Sequence, residues 1–360
     1  MKVYSILRGI PGLGRMVGSL ALLENLGNIG YQIRIASYGQ AVTTGVNFKG
    51  LDINKVKAYS KDNISSIGII PVSKFGEEIF CDIKEWNPDI IICDGEPLMI
   101  EALYYAGFKK KVVAIANRLD IKNPNNQWSS EIYFSKLYSY AELVIVHGLW
   151  NDNIVLSLPK SYYKLNTMIR PEIISLKTDV VKSKIVGIIG GGTWDGGNNF
   201  RKSAVRFIEI INELAKYDNK NHFVIYCNDV RLAKCCDEYF DDLKVDIISK
   251  YTSPQNIYKD AKLVLARGGR NTLSELIYLK IPAIAYASYK NDYRSGEQGE
   301  NITIANQISN GLICEGILDD SISVWKKLYT EQLGRSVKEY SWKPGNQEAV
   351  KIIKSFFKDI

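Results

Sequence analysis

The sequence predicts an α/β protein made of two Rossmann-like domains, each with a doubly wound parallel sheet. Short apolar runs rich in β-branched residues alternate with segments of helical length almost throughout the 360 residues, as in strand-helix-strand units. A single core stops growing near about 250–300 residues, so this length favours two domains. Each half also opens with a strand that runs into a cluster of glycines, which is typical of a Rossmann-like unit.

Strands are predicted where short apolar runs lie between turn residues. In the first half they are Lys2–Leu7, Gln32–Ala36, Ser66–Val72, Asp89–Cys93, Lys111–Ala116 and Glu142–Val146. In the second half they are Lys184–Ile189, His222–Cys227, Lys244–Ile248, Lys262–Ala266 and Pro282–Ala287. Helical spacing of apolar residues predicts helices over Met16–Leu26 and over the terminal segment Asn346–Lys358.

The segment Ile169–Lys184 contains a proline and several charges but no sustained period, and we interpret it as the linker. The boundary is placed near residue 180, which gives domains of residues 1–180 and 181–360. Open α/β sheets bind ligands beyond the carboxyl ends of their strands. Two such sheets facing one another are therefore expected to form a cleft lined by strand-to-helix loops.

Composition excludes several classes of protein. With 46% hydrophobic and 24% charged residues and no apolar run of about 18 residues, the chain is expected to be soluble and cytoplasmic. The six cysteines lack paired spacing, which argues against a zinc site or a disulfide framework. The net charge of +7 favours anionic partners such as nucleotides or phospholipid headgroups. No segment carries a dense basic stripe, so nucleic acid is not an expected partner.

The first glycine cluster, GIPGLGR from Gly9 to Arg15, follows the first predicted strand. Glycines there allow a tight turn and let an anion approach the amides at a helix N-terminus. A dinucleotide fingerprint fits only loosely, and no acidic residue closes the second strand to bind a ribose. An anion site and a plain turn both remain open interpretations.

The second glycine cluster, GGGTWDGG from Gly190 to Gly197, again lies between a strand and a helix. Five glycines in eight positions are more than a turn requires, and they suit a loop that passes close to a ligand or to the facing domain. We therefore expect Gly191, Gly192 and Thr193 to contact the ligand.

A third segment, ARGGRNTLSE, begins at residue 266. Gly268 and Gly269 end a predicted strand, and Asn271 or Thr272 can then cap a helix. Glu275 is thereby expected in the first turn of that helix. A carboxylate there often only stabilises the helix dipole, but it can also bind both hydroxyls of a ribose while the helix amides bind a diphosphate.

The runs RGGRNTLSELIYLKIPAIAY (residues 267–286) and GEQGENITIANQISNGL (residues 296–312) resemble the donor-site signature of GT-B glycosyltransferases. The resemblance is to the group that contains the peptidoglycan N-acetylglucosaminyltransferase and archaeal glycosyltransferase-like proteins. In that group a glycine-rich turn, a helix with Glu, a PAI-like strand and a Glu-Gln-x-x-Asn segment follow in this order. The resemblance implies a GT-B fold whose terminal helix crosses back onto the first domain.

The same resemblance implies how a nucleotide sugar, UDP-linked by preference, is bound. Glu275 binds the ribose, and Gln298 and Asn301 lie near the sugar. The residues implied near the diphosphate are Gly268, Gly269, Asn271 and Thr272. Helix amides and a basic side chain such as Arg267 or Arg270 can stabilise the departing diphosphate, so no cofactor and no metal is expected.

The first half resembles the group at fewer positions. Where the family commonly has GxGHxxR after the first strand, this chain has Gly12-Leu-Gly14-Arg15. Arginine does not act as a general base at neutral pH. Gly14 and Arg15 are therefore predicted to contact an anionic acceptor, with a solvent-facing Arg15 as the alternative. The residues Asp94-Gly-Glu96-Pro97 match the DxEP pattern of the archaeal relatives.

A transferase needs a general base, because a sugar hydroxyl is a poor nucleophile until its proton is removed. Strand ends and the next loop of the first domain supply Asp94, Glu96, His147 and Asp120 as candidates. We predict Glu96 as the base and Asp94 as its orienting partner, since neighbouring carboxylates raise one another's pKa. In the alternative, Asp94 caps the next helix and Glu96 is solvated. His147 is predicted to contact the acceptor.

The apolar residues Leu98, Met99 and Ile100, with Tyr104, Tyr105 and Phe108, precede Lys109–Lys111. They form either a surface for a lipid acceptor, with a peripheral contact to the inner face of a membrane, or part of the core. Together these observations predict a metal-free glycosyltransferase that moves a sugar from a UDP-linked donor to a hydroxyl acceptor. A nucleotide-sugar hydrolase or epimerase, favoured by the altered GLGR motif, and a non-catalytic nucleotide-sugar-binding protein are the alternatives.

Overall fold

In a computed structural model of the chain, the described residues are 1–9, 14–37, 52–54, 74–118, 128–151, 161–177, 182–190, 197–227, 229–239, 242–250, 252–289 and 295–358. The chain divides into two compact units. The first contains Met1–Gly148, Asp152–Pro171 and Pro344–Ile360, and the second contains Leu149–Asn151 and Glu172–Lys343.

A parallel sheet forms the centre of the first unit. Its described strands are β1 (Lys2–Leu7), β2 (Gln32–Ser37), β3 (Asp52–Asn54), β4 (Ile90–Asp94), β5 (Val112–Asn117), β6 (Leu143–Gly148) and β7 (Tyr162–Asn166). Their order along the sheet is β3-β2-β1-β4-β5-β6-β7. Strands β4, β5 and β6 are buried along their whole length, which explains why they are almost continuous apolar runs.

Helices pack against this sheet between the strands. They are α1 (Gly14–Asn28), α2 (Lys74–Trp86), α3 (Pro97–Tyr105) and α4 (Trp128–Tyr138), with a 3₁₀ turn at Lys109–Lys111. Helix α1 approaches β6 closely at Gly18, because a Cβ there would lie 2.7 Å from Cε1 of His147. A glycine at this position is therefore required by packing.

The second unit is built on another parallel sheet. Its described strands are β8 (Lys184–Ile189), β9 (His222–Cys227), β10 (Asp246–Ile248), β11 (Ala261–Arg267), β12 (Ala283–Tyr286) and β13 (Ile313–Glu315), in the order β10-β9-β8-β11-β12-β13. The helices are α5 (Pro171–Ile174), within which the chain enters this unit, α6 (Asn198–Tyr217), α7 (Val230–Tyr239), α8 (Pro254–Tyr258), α9 (Arg270–Leu279), α10 (Ser295–Ile308) and α11 (Ile322–Leu333). Phe207 of α6, Trp325 of α11 and Leu265 of β11 lie in its core.

The last helix, α12 (Asn346–Phe356), belongs to the first unit. Ala349 and Ile353 pack in the same core as Leu20 of α1. The Asn346 side chain donates from Nδ2 to the Ile169 carbonyl at 2.8 Å and accepts from the Ile169 amide at 3.0 Å. Two hydrogen bonds between buried groups thus attach the start of this helix to a chain segment 177 residues earlier.

The predicted fold class is confirmed, and several strands have the predicted bounds. Lys2–Leu7, Lys184–Ile189 and His222–Cys227 begin and end as expected. The strands β3, β7 and β13 were not predicted. All three are edge strands, and an edge strand needs no long apolar run. The predicted strand Ser66–Val72 lies outside the described residues.

Both sheets reverse their strand order at one point, and the reversal is where open α/β sheets bind ligands. In the first sheet it lies between β1 and β4, and in the second between β8 and β11. None of the described helices is both long and apolar enough to cross a membrane.

Candidate functional site

An arginine occupies the strand reversal of the second sheet. Gly190 follows β8, and Arg267 is the last residue of the neighbouring β11. Nη2 of Arg267 lies 2.8 Å from the position that a Cβ of Gly190 would take, and its guanidinium lies 5.0 Å from the ring centre of Phe200 in α6. Burial raises the pKa of Tyr286 to about 12, although the positive charge of Arg267 acts in the opposite direction. A guanidinium therefore lies at the reversal, and Gly190 gives it space.

Two adjacent glycines after β11 have different surroundings. A Cβ at Gly268 would lie 2.8 Å from the Gln298 carbonyl oxygen and 2.8 Å from Cδ1 of Ile302, both in α10. A Cβ at Gly269 would meet no atom nearer than 3.9 Å. Gly268 therefore permits close packing of α10 against β11, whereas Gly269 has space above it in which a ligand can approach the backbone.

Helix α9 begins at least two residues earlier than the predicted caps allow. Gly269 is its N-cap, without a side-chain cap, and Arg270 is the first helical residue. The prediction that Asn271 or Thr272 caps this helix is therefore wrong, and Glu275 lies in the second turn rather than the first. Gly269 has extended backbone angles, φ −76° and ψ 130°, so the strand passes directly into the helix. Because glycine has no side chain, Gly269 cannot cap the amides of the first helical turn.

The Glu275 side chain is buried, with only 1% of the residue exposed. The Tyr258 hydroxyl, at the end of α8, donates a hydrogen bond to Oε2 of Glu275 at 3.0 Å. A buried carboxylate requires such donors, since burying a charge without hydrogen bonds is costly. Glu275, the residue predicted to bind the ribose, is thus a buried residue of α9, the helix that follows Gly268 and Gly269.

The structure brings the predicted Gln298 and Asn301 next to the same turn. The backbone N–H of Ser288, after β12, donates to Oε1 of Gln298 at 2.7 Å. Nδ2 of Asn301 donates to the Gly268 carbonyl at 3.4 Å. Because a backbone N–H can only donate, Oε1 of Gln298 faces Ser288, and its amino group faces away. Gln298 therefore offers N–H donors, and Asn301 offers a carbonyl oxygen.

In the first unit, two carboxylates follow β4 at the strand reversal. Asp94 is 3% exposed and Glu96 is 1% exposed. The Ser19 hydroxyl of α1 donates to Oδ2 of Asp94 at 2.6 Å. Burial, followed by the negative charges of Glu96 and Asp94, raises the pKa of the Cys93 thiol. Both carboxylates therefore lie close to the end of a buried strand.

The predicted alternative for this pair is wrong. Glu96, not Asp94, is the N-cap residue of α3, and its side chain makes no capping hydrogen bond. Glu96 is also buried rather than solvated. Pro97 does begin the helix, as predicted. Asp94 is instead directed to Ser19, because α1 packs beside β4.

Two further predicted residues of the first unit, His147 and Gly14, lie in β6 and at the start of α1. His147 lies within β6, is 1% exposed, and accepts a long hydrogen bond of 3.4 Å on Nδ1 from the Met168 amide. Gly14 is the first residue of α1 and is exposed. The side chain of Arg15 and the residues Asp120, Gly191, Gly192 and Thr193 lie outside the described part of the chain.

The C-terminal part of the chain matches a known family. Residues 198–360 match the glycosyltransferase family 28 C-terminal domain. The match begins at the first residue of α6 and contains Arg267, Glu275, Gln298 and Asn301. The chain is a nucleotide-sugar glycosyltransferase. No curated protein sequence matches it.

Solved structures of similar shape cover almost the whole glycosyltransferase. MurG of Acinetobacter baumannii has 13% identity and a TM-score of 0.60, over 99% of this chain and 100% of that chain. The glycosyltransferase VinC in complex with dTDP has 12% identity and a TM-score of 0.55, over 100% of this chain and 96% of that chain. The UDP-GlcNAc 2-epimerase of Neisseria meningitidis, bound to UDP-GlcNAc, has 14% identity and a TM-score of 0.66, over 100% of both chains. At these identities the likeness concerns the fold, and it confirms the GT-B class.

Sequence reasoning missed four buried residues with polar side chains, two in each unit. Ser19, Arg118, Tyr258 and Ser288 were not predicted. Ser19 is a polar residue on a buried helix face, and Arg118 follows β5 and is 1% exposed. A polar residue in an apolar helical stretch was a readable signal for Ser19. Tyr258 and Ser288 gave none, since their partners lie 17 and 10 residues away.

Proposed function

We propose that this glycosyltransferase transfers a sugar from a UDP-linked donor to a hydroxyl acceptor, with the donor bound by the second unit. The observation that carries the proposal is the hydrogen-bonded group of Gly268, Ser288, Gln298 and Asn301 beyond the carboxyl ends of β11 and β12. All four residues lie in the part of the chain that matches the glycosyltransferase family 28 C-terminal domain. Open sheets bind ligands at this location.

Each part of the donor is assigned a partner. Glu275 binds the ribose hydroxyls. The backbone at Gly269 and the first turn of α9, including Asn271 and Thr272, binds the diphosphate, because the amides at a helix N-terminus attract anions. Gln298 and Asn301 bind the sugar, whose hydroxyls both donate and accept hydrogen bonds. Gly191, Gly192 and Thr193 remain predicted contacts of the same donor.

The choice of uridine rests on similar folds. The Neisseria meningitidis epimerase is bound to UDP-GlcNAc, whereas VinC is bound to dTDP. Both are pyrimidine nucleotides with a diphosphate. UDP is the first choice because the structure with the higher TM-score carries it, and dTDP is the comparison that a binding assay must include.

The reaction breaks the bond between the sugar and the diphosphate and forms a bond from the sugar to the acceptor oxygen. Negative charge develops on the departing diphosphate. The positive end of the α9 dipole and the Arg267 guanidinium at the strand reversal stabilise this charge. The proposal therefore requires no metal ion.

The first unit is proposed to bind the acceptor and remove its proton. Glu96 acts as the general base, and Asp94, held by Ser19, orients it. Gly14 and Arg15 at the start of α1 are proposed acceptor contacts. His147, whose buried ring packs against Gly18, is a further proposed acceptor contact.

Calorimetry and product analysis test this function together. The expected result is binding of UDP and of a UDP sugar, followed by transfer to an acceptor and release of UDP. Release of free sugar without an acceptor identifies a hydrolase, and a changed sugar configuration identifies an epimerase. Tight binding without turnover on any acceptor identifies a binding protein. Stronger binding of dTDP than of UDP overturns the choice of uridine.

We also propose a peripheral membrane contact through a tyrosine cluster of Tyr104, Tyr105 and Tyr140. Their rings lie 4.7 to 6.0 Å apart, and Tyr105 is 72% exposed. Nζ of Lys109 lies 5.4 Å from the Tyr104 ring, and Nζ of Lys136 lies 5.2 Å from the Tyr140 ring. Exposed tyrosines beside lysines suit an anionic lipid surface. Met99 and Ile100 are fully buried and belong to the core.

Sedimentation with vesicles tests this contact. The glycosyltransferase is expected to bind vesicles that contain phosphatidylglycerol more strongly than vesicles of phosphatidylcholine alone. The double variant Tyr105→Ser with Lys109→Ser is expected to lose most of this binding. Tyr217→Ser with Lys326→Ser is the matched control, since Tyr217 is 53% exposed and Lys326 lies 5.2 Å from its ring. Equal binding of both double variants contradicts the proposal.

A further inference from the structure

One hydrogen bond joins two buried side chains of the second unit that belong to different helices. Tyr258, the last residue of α8, is 2% exposed, and Glu275 in α9 is 1% exposed. The Tyr258 hydroxyl donates to Oε2 of Glu275 at 3.0 Å. The residues are 17 positions apart, with the whole of β11 between them. The contact therefore depends on the tertiary fold of this unit.

The tyrosine itself is held by short-range features of α8. Ser253 caps the helix, with its side chain accepting from the Asn256 amide, and Pro254 is the first helical residue. A proline at that position presets the backbone angle of a helix. The Tyr258 hydroxyl is thus presented to Glu275 from a helix whose start is well defined.

A fixed donor matters for a carboxylate because rotation about its last side-chain bond has no sharp preference. A hydroxyl that binds one oxygen selects one orientation of the whole group. Binding of a ligand to an already oriented group loses less conformational entropy. A carboxylate that must accept two vicinal hydroxyls depends strongly on this orientation.

We propose that Tyr258 is a positioning residue that orients Glu275 for the ribose of the nucleotide. This inference rests on the proposed function, in which Glu275 binds the ribose hydroxyls. Tyr258 does not itself touch the ligand. Removing its hydroxyl therefore weakens recognition of the ribose without weakening recognition of the base or the diphosphate.

The test compares UDP with 2′-deoxy-UDP by calorimetry on the full chain. The wild-type protein is expected to bind UDP at least about tenfold more tightly, the range for a hydrogen bond to a charged group. Glu275→Gln is expected to bring this ratio close to one. Tyr258→Phe is expected to lower the ratio several-fold while the affinity for 2′-deoxy-UDP stays within about twofold.

Tyr329→Phe is the matched control. Tyr329 is also a buried tyrosine whose hydroxyl donates to a carboxylate, that of Asp218. This variant loses a similar hydrogen bond elsewhere in the unit, so it is expected to keep the wild-type ratio. Thermal melts of both variants establish that they are folded. Tyr258→Met, an apolar chain without a hydroxyl, takes the place of Tyr258→Phe if that variant does not fold.

Two outcomes overturn the role of Tyr258 alone. One is a wild-type ratio in Tyr258→Phe, and the other is an equal loss of affinity for both nucleotides, which indicates a structural role. A third outcome would show that the ribose assignment of Glu275 itself is wrong. If the wild-type protein and Glu275→Gln have the same ratio, Glu275 does not bind the ribose, and both proposals fall.

Discussion

The carboxyl ends of the two sheets present different chemistry. Beyond the second sheet lie two glycines, the start of a helix, and amide side chains whose orientation is set by backbone groups of Ser288 and Gly268. Beyond the first sheet lie the buried carboxylates of Asp94 and Glu96, one of which is held by Ser19. The two Rossmann-like units thus share an architecture and differ in the groups that they place at the carboxyl ends of their strands.

The two sets of groups are suited to different kinds of chemistry. Backbone amides, glycines and oriented amides recognise a ligand by shape and hydrogen bonding, and they hold it without exchanging protons. Carboxylates in a buried position can accept a proton from a substrate. In the proposed function, the second unit binds the donor and the first carries out acid-base chemistry on the acceptor. The following predictions test whether the two functions can be separated by mutation.

The largest effect is expected at Glu96. Glu96→Gln keeps the shape of the side chain and removes its basicity, so transfer is expected to fall by about 10²–10⁴-fold. Calorimetry is expected to show unchanged UDP affinity. Glu101→Gln, in the same helix α3, is the control and is expected to keep full activity. If Glu96→Gln keeps full turnover with the true acceptor, Glu96 is not the general base, and His147 and Asp120 become the candidates.

A large but different effect is expected at Glu275. Glu275→Ala removes the carboxylate proposed to bind the ribose, so UDP binding is expected to weaken by about 1.5–3 kcal/mol, the range for hydrogen bonds to charged groups. Isothermal titration calorimetry measures this change, and circular dichroism establishes that the variant is folded. Glu331→Ala, at an exposed position of α11, is the control. Unchanged UDP affinity in a folded Glu275→Ala variant contradicts the ribose assignment.

The adjacent glycines are expected to respond in opposite ways. Gly268→Ala places a Cβ against α10, so the free energy of unfolding is expected to fall by about 1–3 kcal/mol. Gly269→Ala meets open space and is expected to cost less than about 1 kcal/mol in stability, yet to weaken UDP binding because the methyl group obstructs the diphosphate. Urea denaturation and calorimetry measure the two quantities. If both variants show the same changes in the free energy of unfolding and in UDP affinity, the two glycines do not have different roles.

The smallest effect is expected at Gln298 and Asn301. Alanine at either position removes a neutral hydrogen bond, so the affinity for the UDP sugar is expected to fall by about 0.5–1.5 kcal/mol while that for UDP is unchanged. Competition calorimetry with both ligands measures the difference. Equal losses for UDP and UDP sugar would place these side chains on the nucleotide rather than on the sugar.

Much of the fold could be predicted from local pattern, because strands buried on both faces are continuous apolar runs. Strands β1, β8 and β9 illustrate this. The short strands β3, β7 and β13 could not be predicted, since their pairing depends on neighbours that the local sequence does not specify. The start of α9 was also placed too late. Gly269 caps that helix with its backbone alone, and the usual signal for a cap is a side chain.

By itself, the sequence determined the α/β class, the two strands that run into glycine clusters, and the glycine-rich turn followed by a helix from residue 266 onward, because turns and helix starts require particular residue types in order. Only the tertiary structure decided which partners these residues have. Ser19 meets Asp94, and Tyr258 meets Glu275, across 75 and 17 positions of chain. The first contact joins a helix to the end of a strand and the second joins two helices, and no local spacing in the sequence specifies such packing. The orientation of the Gln298 amide was likewise decided by a backbone N–H that becomes its neighbour only after folding.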